Sequence, residues 1–369
     1  MSAKPFPSPD LAIVIPTYKE RENVTELVKR LREVLADVPY EIIFVDDDSP
    51  DGTANIIRDL SREDGRIRVL QRIGRRGLSS ACVEGALCTS ASFVAIMDAD
   101  LQHDESILPM MLAALLRGEA DVVIGSRYVG GGGIGEWDRD RAALSRLATA
   151  ISHLIVPNTV TDPMSGFFMM SRSLFEQTSR GLSSMGFKLL ADFLATAGRQ
   201  IRVLEVPYQF RNRYSGESKL DSLVAWEFLL LVADKLVGRW IPVRFLSFAL
   251  VGGIGVAIHL TILALLFHVA EIKFQIAQIA ATLVAMVGNF ALNNILTYRD
   301  ARLKGVSWFW GLLTFVMACS VGAFANVGVA GFLYGQNTDW ILAALAGIAV
   351  GTVWNFTVSS FYAWRVGRK

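Results

Sequence analysis

Cysteine is scarce in this chain of 369 residues: Cys82, Cys88 and Cys319 show no CxxC spacing and cannot all pair, and the four histidines are scattered. Neither a disulfide framework nor a zinc site is indicated. Net charge is equally scarce. The 36 basic and 35 acidic side chains leave a formal +1, which excludes a polybasic nucleic-acid binder as the default reading. No GxxxxGK[ST] run appears and no GxGxxG run follows the first strand, so neither the common nucleotide-triphosphatase loop nor a dinucleotide fold is indicated. The opening residues MSAKPFPSPD hold no apolar core; no secretory signal is expected, and the first domain is expected to stay in the cytoplasm.

Apolar residues, by contrast, are abundant. Hydrophobic residues make up 52% of a chain too long for one ordinary domain, so part of it is expected in a membrane. The first part reads as alternating strands and helices. Leu11–Ile15, Glu41–Val45, Ile67–Leu70, Phe93–Met97 and Asp121–Gly125 are apolar strands, and helices follow over Asn23–Leu35, from Thr53, and over Cys82–Thr89. That alternation predicts a doubly wound, mostly parallel sheet. Acid stands where strands end: DDDSPDGT follows the second, and SFVAIMDADLQHDE (Ser92–Glu105) contains the fourth. Asp98 and Asp100 flank a small Ala99, with Gln102 two residues on, so alternate oxygen-bearing side chains can project from one side of the strand end. The set suits a hard cation, Mg²⁺ or Mn²⁺, completed by substrate phosphates and water. Ligands of open α/β sheets sit at the carboxyl ends of strands. A lone Asp-x-Asp is more often a solvated turn. Two acidic strand ends with the basic loop RIGRRGLSSA between them shift the balance toward a nucleotide-diphosphate site.

Further on, a glycine-rich loop is expected to bring Arg127, Arg139, Arg141 and Arg146 close to the acidic centre. Arg141 and Ser145 would share a helix face. The segment VPYQFRNRYSGESKL carries Arg211, Arg213 and Lys219 and is expected to form a cover over phosphates.

Ser222–Trp240 mixes an apolar face with Glu227, Asp234, Lys235 and Arg239, and reads as an amphipathic helix in the membrane interface. Four apolar runs follow, Phe245–Phe267, Ile276–Leu296, Phe309–Leu333 and Ile341–Phe361, each near the ~20 residues that a span requires. Aromatic residues lie near their ends, and the basic connections YRDARLKG and WRVGRK place those loops and both termini in the cytoplasm. Asn289-Phe290 with Arg299, and Asn355-Phe356 with Arg365, suggest two tandem hairpins in a parallel repeat. For Asn289, Asn293 and Asn294, hydrogen bonding between helices is preferred over a ligand site. The expected domains are 1–220, an α/β sheet domain; 221–243, the interfacial helix; and 244–369, an all-α unit of four spans.

Six ordered segments carry a resemblance: IPTYKERENV, VDDDSPDGT, DADLQHDE, GSRY with its glycine loop and RAALSR, DPMSGFF, and FRNRYSGESKL. Together, over about residues 10–220, they resemble the dolichol-phosphate mannose synthases, inverting glycosyltransferases with a GT-A, Rossmann-like fold. The apolar half is similar in pattern to GtrA-like membrane modules. The resemblance implies that Pro16, Tyr18, Glu20, Val45 and Asp47 surround the nucleoside, that Asp98 and Ala99 lie beside the diphosphate sugar, and that Asp100 and Gln102 hold the metal with Asp98. It also implies that Arg127, Arg141 and Ser145 hold the lipid phosphate, and that Arg213 and Lys219 close over the donor. Asp100, Arg127, Arg141 and Arg213 are the residues expected to act in catalysis. GDP-mannose, dolichyl or polyprenyl phosphate and Mg²⁺ or Mn²⁺ are the implied partners, in a multi-pass membrane protein; a homo-oligomer is compatible, and nucleic acid is not expected.

Two other readings compete. One is a glucosyltransferase that uses UDP-glucose and a polyprenyl phosphate, whose relatives differ where DPMSGFF stands. The other is a non-enzymatic membrane carrier. A processive synthase is disfavoured because LVGRW lacks the glutamine of Q-x-x-R-W.

Overall fold

The structure, a computed structural model, describes residues 9–75, 77–133, 147–183, 188–198, 200–211, 222–238 and 240–364. The chain divides into two units between Leu236 and Val237. In the first, seven strands form one sheet in the order β3-β2-β1-β4-β6-β5-β7. They are β1 (Leu11–Thr17), β2 (Tyr40–Asp46), β3 (Ile67–Gln71), β4 (Phe93–Ile96), β5 (Val122–Ser126), β6 (Phe168–Ser171) and β7 (Val203–Pro207). All neighbours are parallel except β6, which runs antiparallel to both β4 and β5.

The run LAIVI is apolar throughout because both faces of its strand are covered. Leu11, Ile13 and Ile15 point to one side, against α1 (Arg21–Val34) and α4 (Leu108–Leu116) through Val24, Leu27, Leu31, Leu108 and Met111. Ala12 and Val14 point to the other, into the layer that holds Ala81 and Cys82 of α3 (Leu78–Leu87). The same layer takes Phe175 of α5 (Arg172–Ser179) and Phe193 of α6 (Leu189–Ala197). α2 (Thr53–Glu63) adds Ile57 to the first layer.

Two expectations change here. Pairing of β4 stops at Ile96, so Asp98 and Asp100 stand in a turn beyond the strand rather than on its extended end. The helix expected to lie in the membrane interface, α7 (Ser222–Val237), belongs to the first unit. Phe228, Leu231 and Val232 enter the sheet domain's core, and Lys235 Nζ meets the buried Asp192 carboxylate at 2.6 Å. Its aliphatic residues serve the domain's own core on that face, while Leu229 and Leu236 face outward. The expected boundary at 220/221 therefore moves to 236/237.

In the second unit, α8 (Val243–Ala264) packs along α9 (Phe274–Leu292), and α10 (Val306–Gly335) along α11 (Trp340–Val358). Among the described residues, three helical segments are long and apolar enough to cross a membrane: Val243–Val269, Phe274–Thr297 and Val306–Gly335. The two pairs repeat one contact. Gly255 lies under the Asn289 carboxamide and Gly322 under that of Asn355, so close that a Cβ at either glycine would collide with it. Four residues after each asparagine a π-helical turn begins, and nine after it Tyr298 and Trp364 stack on each other at 4.1 Å. Of the three asparagines expected to bond between helices, Asn294 does so, Asn293 bonds within its own helical segment, and Asn289 Oδ1 is buried without a hydrogen-bond partner. Asn294 accepts from the Leu303 amide at 2.8 Å and the Trp364 indole at 3.0 Å. Asn293 accepts from Thr297, whose hydroxyl also meets Ser247 of α8 at 2.8 Å.

Gly85 lets α3 lie directly on the sheet. A Cβ there would stand 2.5 Å from Val14 Cγ1 and 2.8 Å from Val45 Cγ2. Overpacking of this kind costs about 1–3 kcal/mol, and the gain in helix propensity from glycine to alanine offsets at most about 1 kcal/mol. Gly85→Ala is expected to lower the unfolding midpoint of the purified protein. An unchanged or higher midpoint would show that the contact is not tight.

Candidate active site

β1, β2 and β4 end on the same edge of the sheet, and the order turns around between β1 and β4, where crevices form in open α/β sheets. Three loops therefore meet there. The first follows Thr17, and Asp47 N–H donates to its carbonyl at 3.0 Å. Pro16 and Val45 are register partners at the ends of β1 and β2. The Val45 side chain is fully buried in the core beside α3, which leaves its main chain for any contact with a ligand. Tyr18 is half-buried after β1, and Glu20 opens α1, where its carboxylate accepts from Asn23 at 2.6 Å.

The acidic residues of the second loop divide their tasks. Asp46 is fully buried and ties the turn together, accepting from the Ser49 hydroxyl at 2.6 Å and the Ser49 amide at 3.0 Å. Asp47 accepts from Gly77 N–H at 2.7 Å and faces Arg72 Nη1 at 3.2 Å. Burial raises its carboxyl above the usual range, against the opposing pull of the Gly77 amide and Arg72. Arg72 is itself buried and also donates to the Gly77 carbonyl at 3.1 Å and to Ser80 Oγ at 2.7 Å. Arg72 and Gly77 were missed from sequence. Their signal was an arginine one residue beyond β3, a place where a buried cation needs an acidic partner.

The third loop carries the candidate metal ligands. Ala99 and Leu101 turn into the apolar core, and the residues that alternate with them are Asp98, Asp100 and Gln102. Leu101 adopts a left-handed φ of 62°, which turns the chain sharply enough for the Gln102 amide to reach Asp100 Oδ1 at 3.2 Å. Asp98 keeps 39% of its side chain exposed, whereas Asp100 is buried. Gln102 exchanges bonds with the segment after β7: Arg211 N–H donates to the Gln102 carbonyl at 2.9 Å and Gln102 Nε2 to the Arg211 carbonyl at 3.1 Å. Arg211 then pairs with Asp104 at 2.8 Å and Glu105 at 2.7 Å. Among the described residues no three His, Cys, Asp or Glu side chains cluster as a closed metal cage. Two carboxylates and an amide oxygen are an all-oxygen, incomplete set. That fits a hard divalent ion whose remaining positions go to water and phosphate.

Arg127 is held in place: its guanidinium grips the fully buried Asp162 through two bonds of 2.7 and 2.8 Å, and its own amide adds a third at 3.1 Å. Burial alone would lower its pKa, and the Asp162 carboxylate more than reverses this. The reason lies in DPMSG, whose Ser165 hydroxyl bonds the Gly125 carbonyl at 2.7 Å and so fixes that segment against β5. Arg141, Ser145, Arg213 and Lys219, with Arg139 and Arg146, lie outside the described residues.

Behind the carboxylates stands an aromatic wall of Phe167, Tyr208, Phe210 and His103. Burial pushes the His103 imidazole down to about 4, so the ring is neutral near pH 7. The Tyr208 hydroxyl is buried without a hydrogen-bond partner, and burial raises its pKa. A recess beside Asp98 is bounded by Leu78, Cys82, Gly166, Phe168 and Leu190.

A family model for glycosyl transferase family 2 matches residues 12–179, and one for the GtrA/DPMS transmembrane domain matches residues 247–364. A dolichol-phosphate mannosyltransferase of Pyrococcus furiosus is 33% identical over 356 residues, which span 96% of this chain and 99% of that protein. One from Mycosarcoma maydis is 33% identical over 66% of this chain and 85% of its own length. That of Saccharomyces cerevisiae is 32% identical, over 63% and 88%.

Removing one partner of a buried ion pair costs about 3–5 kcal/mol, because the other charge is left without compensation. Asp162→Asn is therefore expected to destabilise the protein by that order in chemical denaturation. The double variant Arg127→Met/Asp162→Leu should regain much of the loss. Equal losses in both would mean that Arg127 is not held as a buried charge.

Proposed function

The chain belongs to the dolichol-phosphate mannosyltransferase family, and from that membership we propose that it transfers mannose from GDP-mannose to dolichyl or another polyprenyl phosphate with inversion. It is a glycosyltransferase with a GT-A sheet unit and an apolar helical unit. The observation that carries the finer reading is the convergence of Asp47, Asp98, Asp100 and Gln102 on one sheet edge, at the turning point of the strand order.

The acceptor is itself an anion. The second pKa of a phosphate monoester is near ~6, so its oxygen is largely ionised at neutral pH and needs no general base. The neutral, buried His103 is accordingly not required as one. The phosphate oxygen attacks the anomeric carbon from the face opposite the nucleotide, its bond to carbon forms as the bond to the diphosphate oxygen breaks, and GDP leaves with that electron pair. An α-linked donor gives a β-linked lipid phosphate mannose. Two anions must be held against each other, and cations must offset their repulsion.

Asp98, Asp100 and Gln102 would hold Mg²⁺ or Mn²⁺, which supplies charge stabilisation to the departing diphosphate when bound. Asp47, oriented by Arg72 and Gly77, offers a carboxylate to donor hydrogens on the base. Arg141 and Ser145 are assigned to the acceptor phosphate, and Arg213 and Lys219 to the donor. Arg127, its guanidinium fixed by Asp162, is assigned to the acceptor phosphate with Arg141 and Ser145. The apolar helices are assigned to four membrane spans arranged as two hairpins. Arg299, Arg302 and Lys304, between the second and third, favour a cytoplasmic side for that loop and for the sheet unit.

Membranes containing the protein should transfer label from GDP-mannose, with Mg²⁺ or Mn²⁺ and a polyprenyl phosphate, into the lipid-extractable fraction. Asp100→Ala should cut that transfer by about 100-fold or more, the scale of losing an electrostatic stabiliser of the leaving group. Labelling from UDP-glucose alone would replace the donor assignment. No lipid label from either donor would leave a carrier as the better account.

A further inference from the structure

The proposed donor site makes Asp98 one of its carboxylates, and on that reading we propose that His103 is a positioning residue that holds Asp98 through an imidazole of fixed orientation and tautomer. The Asp98 amide donates to His103 Nδ1 at 3.2 Å, so that nitrogen serves as an acceptor and carries no hydrogen. The neutral ring then bears its hydrogen on Nε2, which stands 3.9 Å from Asp98 Oδ2, too far for a hydrogen bond but close enough for its N–H dipole to act on the carboxylate. One imidazole thus addresses both the main chain and the side chain of the same aspartate. The left-handed turn at Leu101 brings the two residues back together.

The ring is locked. Phe167 stacks on it at 5.2 Å with planes 14° apart, and the edges of Tyr208 and Phe210 close in at 5.8 and 5.9 Å. Only 3% of His103 is exposed. Gly166 abuts both groups: a Cβ there would stand 2.8 Å from Asp98 Oδ2 and 3.3 Å from His103 Cε1. The Asp98 carboxylate therefore has an immobile imidazole and a glycine as close neighbours, and 39% of its side chain is exposed. Neutrality is what this arrangement requires. A cationic partner such as lysine would also orient the carboxylate, but it would cancel the charge that a divalent ion needs and repel that ion. A neutral N–H dipole directs the carboxylate and leaves its charge in place.

Removing an outer partner of this kind typically costs 10–100-fold in metal affinity. The test uses the purified full-length protein with GDP and measures Mn²⁺ binding by the loss of the free-ion electron paramagnetic resonance signal, beside thermal unfolding and the KM for polyprenyl phosphate. His103→Phe keeps a ring in the aromatic wall but removes both nitrogens. It should weaken Mn²⁺ binding about tenfold or more while the acceptor KM and the unfolding midpoint stay near wild type. His103→Asn, which restores an acceptor near the Nδ1 position, should recover part of the affinity, and Gly166→Ala, which pushes Asp98 from the other side, should lose affinity as His103→Phe does. Wild-type Mn²⁺ affinity in a folded His103→Phe protein overturns the inference and leaves the donor-site reading standing. No Mn²⁺ binding by the wild type overturns both. If neither His103→Phe nor Gly166→Ala can be obtained folded, or if affinity, acceptor KM and stability fall together in all three variants, the ring is structural and the inference fails.

Discussion

A parallel sheet buried on both faces has almost nowhere to put charge except at the ends of its strands, and the organisation of the first unit follows from that constraint. β1, β2 and β4 are apolar over nearly their whole lengths, and each is followed within a few residues by polar or acidic side chains. Because the three strands are parallel neighbours, their carboxyl ends share an edge, and residues 16–20, 46–47 and 98–102 are brought together. An anion-handling site built on carboxylates needs a cation between protein and ligand. On the proposed reading, the incomplete oxygen set of Asp98, Asp100 and Gln102 would hold that cation.

Around this edge the structure separates charges that hold the scaffold from charges that face the ligand. Arg127 and Asp162 are a buried pair joined by hydrogen bonds, and the buried Arg72 stands behind Asp47 at 3.2 Å and orients it. Arg211 joins Asp104 and Glu105 to the strand β7 exit and so links the third loop to the segment that follows. Asp98, by contrast, is left partly open. His103 and Gly166 confine it without adding charge. In the second unit the same rule appears in another solvent: the polar side chains Ser247, Asn293, Asn294 and Thr297 find partners within the helical bundle, while Phe309, Phe324 and Ile279 turn outward.

Much of this was legible in the residues. Apolar runs located β1, β2 and β4, the last two ending in aspartate, because burial on both faces leaves a continuous hydrophobic signature. The paired occurrence of Asn289-Phe290 and Asn355-Phe356 suggested a repeat, and each asparagine lies on a glycine of the helix paired with its own. What was not legible depends on long-range packing. FFMMS gives no sign that β6 runs antiparallel between β4 and β5, since strand direction is set by connections and not by composition. The aliphatic side of α7 reads the same whether it meets lipid or protein; only the contacts of Phe228 and Leu231, and the Lys235–Asp192 pair, decide the matter. The Asp162 partner of Arg127 was not legible because it lies 35 residues away in sequence. The place of Pro16, Asp47 and Asp98 on one edge followed from topology, whereas the clamps Arg72 and His103 required coordinates.

The central claim is that one cation, gripped where β4 ends, faces the diphosphate of a nucleotide held by the ends of β1 and β2. A crystallographic or cryo-EM structure with Mn²⁺ and GDP tests it most directly, with anomalous scattering to locate the ion where crystals are available. The account predicts the ion about 2.0–2.2 Å from carboxylate oxygen of the Asp98–Gln102 loop, the range for a small hard divalent ion, with the diphosphate completing its shell and the base near Asp47. An ion bound away from that loop, or a nucleotide at the opposite edge of the sheet, would contradict it.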